Sequence, residues 1–164
     1  MKVYNSVKEF REYVDRDEAW GGKGVNVYMT SGGFDPLHVG HLRCILETVD
    51  MAEQDGGYVA VIVNGDGFLK RKKGKAFMTA SERAEIIAGI RGVDAAIIWD
   101  DGGQTVIGAI EQLKPDFFTK GGDRDNSSNV PEFEVCKRLG TKVVFNVGGG
   151  KIQSSSDLVR NAKK

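Results

Sequence analysis

Five short apolar runs punctuate the chain, each followed within two residues by glycine, Asp or Asn: Val25 to Thr30, Tyr58 to Val63, Val93 to Trp99, Asp116 to Thr119 and Thr141 to Val147. A brief, continuous apolar run bounded by turn residues reads as a strand buried on both faces. Between the runs, apolar residues recur every three to four positions, the period of a half-buried helix. Ser6 to about Asp17 has Val7, Phe10, Tyr13 and Val14 on one stripe, and Ser6 with Glu9 forms a capping-box pattern. Pro36 to Glu53 and Thr105 to Lys114 are further helices, and so is Pro131 to Leu139, which Gly140 closes. Thr79 with Glu82 opens another, running to Arg91 with Ala84, Ile87, Ala88 and Ile90 inward. Strand, helix, strand in this order forms right-handed parallel crossovers. The expected architecture is therefore α/β, an open parallel five-stranded sheet with helices on both faces. Residues 1–164 read as one domain, with 1–24 a helix and linker packed on it.

Composition narrows the function classes. Lys plus Arg equals Asp plus Glu, 23 each, so no global basic field recruits nucleic acid and no acidic excess favours disorder. Glycine, 22 of 164, is near twice the usual share of about 7% and gathers where apolar runs end. No apolar stretch approaches the roughly 20 residues of a membrane span, and the N-terminus is charged rather than signal-like. Cys44 and Cys136 are far apart, each in an amphipathic helix, which fits small core residues of a reduced cytoplasmic protein better than a disulfide.

The chemistry concentrates in Gly32-Gly33-Phe34-Asp35-Pro36-Leu37-His38-Val39-Gly40-His41, where the first strand passes through two glycines into a helix. Glycines bring bare N–H groups up to a ligand, and a helix start points its unpaired amides and positive dipole end the same way, so an anion fits. Asp35 is expected as the N-cap and Pro36 at the first helical position. His38 and His41, three apart, project from one face of the first turn, and Gly40 clears space between them. His-x-x-His is also a chelating spacing, but the chain has neither Cys-x-x-Cys nor the Glu of a zincin, so no protein metal site is expected.

Other strand ends converge on the same crevice of a parallel sheet. Asn64 and Asp66 follow the second strand. Lys70 to Lys75, five cations in six residues, reads as a loop with a solvated face from which two or three members reach phosphate. Arg83 near a helix start would orient phosphates or pair with an acid. Lys120-Gly121-Gly122-Asp123 is a second glycine loop, and polar residues 123–129 form a candidate lid over the acceptor. After Gly148-Gly149-Gly150, the hydroxyls of Ser154, Ser155 and Ser156 stand at another helix start, with Asp157 completing a capping box and Arg160 one turn on.

At Gly32 to His41 the sequence resembles the H-x-G-H nucleotidyltransferase superfamily and its cytidylyltransferase-like branch, and most nearly the adenylyltransferase domain that forms ADP-heptose from heptose 1-phosphate. Val63-Asn64-Gly65-Asp66, Lys73-Gly74, Ser81-Glu82-Arg83, Lys114-Pro115-Asp116 and Lys120-Gly121-Gly122-Asp123 resemble further segments of that domain. Two departures stand out: Lys75-Ala76-Phe77 where the family often has Arg-Pro, and Ser154-Ser155-Ser156 in place of Ser-Thr-Thr. The resemblance implies a Rossmann-like fold and attack of an acceptor phosphate oxygen on the α-phosphorus of an NTP. ATP is favoured, Mg²⁺ rides on the triphosphate, and pyrophosphate leaves without a protein nucleophile. It implies that His38, His41 and Lys73 serve the reaction. Gly32, Gly33, Phe34, Asp35, Gly40, Asn64, Asp66, Lys120 to Asp123 and the three serines would hold nucleotide, with Lys75, Arg83 and Arg160 toward acceptor or phosphate. The competing readings are a CTP-dependent glycerol-phosphate cytidylyltransferase, which shares a Lys-Gly-Lys like Lys73-Gly74-Lys75, and a non-catalytic nucleotide-binding module. Nucleic acid and membrane are not expected partners, and self-association into a homodimer is left open.

Overall fold

The computed structural model describes residues 2–19, 25–122, 131–149 and 154–162. Six strands form one parallel sheet: β1 (Val3–Tyr4), β2 (Val27–Gly32), β3 (Tyr58–Asn64), β4 (Ala95–Trp99), β5 (Phe117–Gly121) and β6 (Lys142–Val147), in the order β1-β4-β3-β2-β5-β6. The expected five are present, each shifted by a residue or two. The sixth, β1, pairs Val3 with Ala96 and Tyr4 with Ile97, and two residues are too short to show an alternation in sequence. From β2 the chain steps outward to β3 and β4, then returns to lay β5 on the other side of β2. Strand order thus reverses at β2, and its C-terminal end is where an open α/β sheet presents a ligand crevice.

The helices are α1 (Val7–Ala19), α2 (Val39–Asp55), α3 (Asp66–Lys73), α4 (Ala80–Ala88), α5 (Ile107–Leu113), α6 (Phe133–Leu139) and α7 (Ser155–Ala162). Strand parity sorts them onto two cores. Met29, Ala60, Ile62, Ile97 and Phe118 pack with Phe10, Ile110 and Cys136, on the face covered by α1, α5 and α6. Val59, Val61, Val63 and Ala96 pack with Ile45, Val49, Ala84 and Ile87, on the face covered by α2 and α4. In α1 the expected stripe holds for Val7, Phe10 and Val14, whereas Tyr13 stays exposed and stacks on the Phe10 ring.

Three local expectations are corrected. Helix α2 begins at Val39 rather than Pro36, with His38 as its N-cap. The basic run is helical, not a loop: α3 buries Phe68 and Leu69, carries Lys70 to Lys73 in its last turn where the dipole favours cations, and ends in the left-handed Gly74. Asp35, expected to cap α2, instead accepts from the amides of Phe77 at 2.5 Å and Met78 at 2.6 Å. A chain segment 42 residues downstream offered it two converging donors, which local spacing does not show.

Candidate active site

A cavity of about 410 Å³ opens beyond the C-terminal ends of β2, β3 and β5. Its first wall is the start of α2. The His38 ring accepts from the Gly40 amide at 3.0 Å and the His41 ring accepts from the His38 amide at 3.2 Å, in both cases through Nδ1. The two imidazoles stack, centroids 3.8 Å apart, and Phe34 meets His41 edge-on at 5.1 Å. Two accepted hydrogen bonds require an unprotonated Nδ1 on each ring, so each neutral imidazole carries its hydrogen on Nε2. Burial, then the neighbouring His38 and Lys73, lowers His41 to about 3, and burial with Lys73 lowers His38 in the same direction. At neutral pH the pair is a set of two uncharged donors, and the positive charge comes from lysines.

The glycine loops are fitted to this helix. A Cβ at Gly148, whose φ is +87°, would stand 2.6 Å from the Cys44 amide nitrogen, and one at Gly121 would stand 3.0 Å from Cys44 Sγ. Gly32 and Gly33 bring the end of β2 against Phe34 and Leu69, where a Cβ would come to 3.0 Å in each case. Backbone therefore lines much of the cavity, and a flat or charged group can approach closely. Beneath it Thr48 and Thr119 hydroxyls meet at 2.9 Å, and Thr30 Oγ1 donates to the Thr119 carbonyl.

The residues expected from the sequence are brought together in part. Gly32, Gly33, Phe34, His38, Gly40, His41, Asn64, Lys73, Lys120, Gly121, Gly122, Ser154 and Ser155 all line the cavity. Ser155 Oγ also donates to the Pro36 carbonyl, tying α7 to the turn before α2. Lys75, Asp35 and Arg160 line a separate 260 Å³ annex with Phe77 and Val159, which shares Lys73 and Ser155 with the main cavity. Arg160 pairs there with Asp157. Asp123 and residues 123–129, the expected lid, lie outside the described residues, as do Gly150 and the side chain of Ser156.

Arg83 and Asp66 are placed off the cavity, and of the two readings the sequence left open for Arg83 the structure shows the pairing with an acid. The Arg83 side chain is fully buried, and its guanidinium donates to the carbonyls of Met78, Gly33 and Asn64 and to Asp66 Oδ1. Asp66 Oδ1 also takes the Ala80 amide, and the residue lies off the cavity. Arg83 thus ties the glycine turn after β2 to the end of β3. Its burial inside α4 follows from Ala84 and Ile87 beside it, but only the tertiary fold shows three carbonyls ending there.

Sequence reasoning missed the second wall. Phe68, Gln104, Val106, Pro131 and Glu132 line the cavity on the α5/α6 side. Glu132 is 6% exposed, and Oε1 accepts from the Val106 amide at 3.4 Å. Only the α6 helical period, which marks Val135 and Cys136 as buried, hints that its start is covered. Among the described residues no three His, Cys, Asp or Glu side chains gather as a metal site.

The sequence profile described as cytidylyltransferase-like matches residues 29–153. The chain is 34% identical over 145 residues to the bifunctional protein HldE of Gluconobacter oxydans, covering 87% of this chain and 29% of that protein. It is 30% identical over 149 residues to the bifunctional protein HldE of Nitrobacter hamburgensis, covering 90% and 29%. The chain therefore spans under a third of the length of these relatives. Among solved structures it is similar to the lipopolysaccharide core biosynthesis protein from Thermoplasma volcanium, with a TM-score of 0.59 and 25% identity over 80% of this chain and 98% of that one.

Proposed function

The chain belongs to the cytidylyltransferase-like family of nucleotidyltransferases, and on that premise we propose that it transfers AMP from ATP to a sugar 1-phosphate of the heptose kind. An acceptor phosphate oxygen attacks the α-phosphorus, the bond from that phosphorus to the bridging β-phosphate oxygen breaks, and pyrophosphate leaves. The observation that carries the reading is the reciprocal His38 and His41 arrangement at the start of α2. It commits both Nδ1 atoms to backbone amides and leaves two Nε2–H donors at fixed separation beside the helix N-terminus. Such donors stabilise charge that develops on the phosphoryl oxygens while requiring little reorganisation as it develops.

The remaining groups divide the work by charge. Lys73 and Lys120 line the same cavity and offset the negative charge of the triphosphate and the leaving pyrophosphate. The amides of Gly33 and Phe34 meet α-phosphate oxygens, and Ser154 and Ser155 at the start of α7 add hydroxyl and amide donors. Magnesium enters as part of the nucleotide substrate, bound to the triphosphate. The preference for ATP and a heptose phosphate rests on the Lys120-Gly121-Gly122-Asp123 segment and on the relatives above. The Lys73-Gly74-Lys75 segment, which resembles the Lys-Gly-Lys of glycerol-phosphate cytidylyltransferases, favours the alternative, CTP with glycerol phosphate.

The test is pyrophosphate release with Mg²⁺ and ATP or CTP against heptose, hexose, glycerol and pantetheine phosphates. Release with ATP and a sugar 1-phosphate is expected. His41→Ala should lower kcat by roughly 10²- to 10³-fold, the loss typical of a removed charge-stabilising donor. NTP binding without release across the panel would favour the non-catalytic module, and an unchanged rate in His41→Ala would remove the histidines from the mechanism.

A further inference from the structure

Two of the three buried side-chain polar atoms that lack a partner among the described residues belong to this one cavity: Asn64 Oδ1 and Glu132 Oε2. Both residues are 6% exposed. They also lie on the same side of the sheet. Ala60 and Ile62 of β3 face α5 and α6, so by strand alternation Asn64 faces that way too, toward the start of α6 where Glu132 stands. A buried acceptor with nothing to accept from is costly, and in folded proteins such groups are otherwise paired. Here Oε1 of Glu132 is already held by the Val106 amide, which fixes the carboxylate and leaves Oε2 over.

The surroundings say what kind of donor is missing. A phosphate is excluded beside a carboxylate by like charge, and phosphate chemistry is already provided on the opposite wall by the α2 amides, the histidines and Lys73. Phe68, Val106 and Pro131 supply apolar surface between the polar groups. Planar carboxylate and amide side chains set among apolar surface match a polyol, whose hydroxyls donate while its C–H faces pack. We propose that Glu132 and Asn64 form a hydroxyl-reading wall that accepts hydrogen bonds from neighbouring hydroxyls of a substrate, and so determine specificity for a polyhydroxylated ligand. The inference rests on the transfer reading for the identity of that ligand, whose hydroxyls come either from the acceptor sugar or from the nucleotide ribose.

The experiment compares wild type with Glu132→Gln and Asn64→Ala, using MgATP and heptose 1-phosphate, with 2′- and 3′-deoxy-ATP and a deoxyhexose 1-phosphate as the hydroxyl-deleted probes. Glu132→Gln keeps size and the bond to Val106 but turns the free acceptor into a donor. If the wall reads the acceptor, KM for heptose 1-phosphate rises about 10- to 100-fold, the range for a hydrogen bond to a charged group. KM for ATP and kcat then change less than about 3-fold, and the probe lacking the hydroxyl no longer distinguishes variant from wild type. If it reads the ribose, the rise appears for ATP and vanishes with one of the deoxy-ATPs. Unchanged constants in both arms, or an equal loss for hydroxylated and deoxy ligands, would overturn the proposal. Calorimetric titration of the same probes keeps this test separate from the transfer reading: a wild type that releases no pyrophosphate fails as an enzyme, while its affinities still decide the hydroxyl wall. Matching thermal unfolding of the variants establishes that they fold, and Asn64→Ala reports independently should Glu132→Gln not.

Discussion

His41 shows how the burial of one residue couples stability to pH. It takes a proton near pH 6.5 in the unfolded chain but only at about 3 in the folded one, chiefly because burial disfavours its charged form. Between those values the unfolded state holds more protons, so stability rises with pH across the window and falls on acidification, by up to about 1.4 kcal/mol per pH unit for this group. Urea unfolding of the ligand-free protein should therefore give a lower midpoint at pH 5 than at pH 7. His41→Asn, which keeps an acceptor for the His38 amide but does not titrate, should remove that part of the slope. Arg83 makes a second case. Three carbonyls and a carboxylate fill its guanidinium in a site that a lysine cannot match, so Arg83→Lys should destabilise by about 3 kcal/mol in the same assay. That the two histidines stand together was legible from their spacing, but the way they meet was not, because His38 is the extended N-cap of α2 rather than a residue of its first turn. Their charge state was not legible either, and for Arg83 only the pairing with an acid was, since its burial and its three carbonyl partners depend on segments distant in sequence.

Among the elements, the start of α2 is the reference against which the others are set. Gly148 after β6 and Gly121 at the end of β5 both press on Cys44 in its second turn. Gly148→Ala combines a left-handed φ with a 2.6 Å approach to backbone nitrogen, so neither partner yields cheaply. This variant should lose ATP affinity at least 10-fold in a binding titration and melt several degrees lower, whereas Gly149→Ala, with open space around its Cβ, should show only the backbone strain. Strand and helix periods predicted nearly every element here, because the apolar runs and stripes are long enough to count. Expectations failed where a short polar segment was decided by tertiary partners. Asp35 faced the Phe77 and Met78 amides rather than the helix, and the lysine run was recruited into α3 by buried Phe68 and Leu69.

Across the whole molecule, the reversal of strand order at β2 explains why residues from 32 to 155 meet in one cavity. The sheet puts the histidines and helix-start amides on the α2 side and Asn64 and Glu132 on the α5/α6 side, so the proposed transfer would bring its two substrates together across the strand ends. The first wall was readable from its glycines, histidines and lysines. The second was not, because Phe68, Val106 and Glu132 look in sequence like ordinary core and helix-start residues. Since ATP binds only the folded form in this account, MgATP at 100 times its Kd should stabilise the protein by about 2.7 kcal/mol, visible as a concentration-dependent rise in Tm. Everything above turns on whether the protein carries out the transfer. Its most direct measurement is ³¹P NMR of a reaction containing the protein, MgATP and heptose 1-phosphate. Transfer should give a pair of coupled resonances from a new nucleoside diphosphate sugar, appearing in equal amount with pyrophosphate. Loss of ATP to ADP and orthophosphate, or an unchanged spectrum with saturating ligands bound, would contradict it.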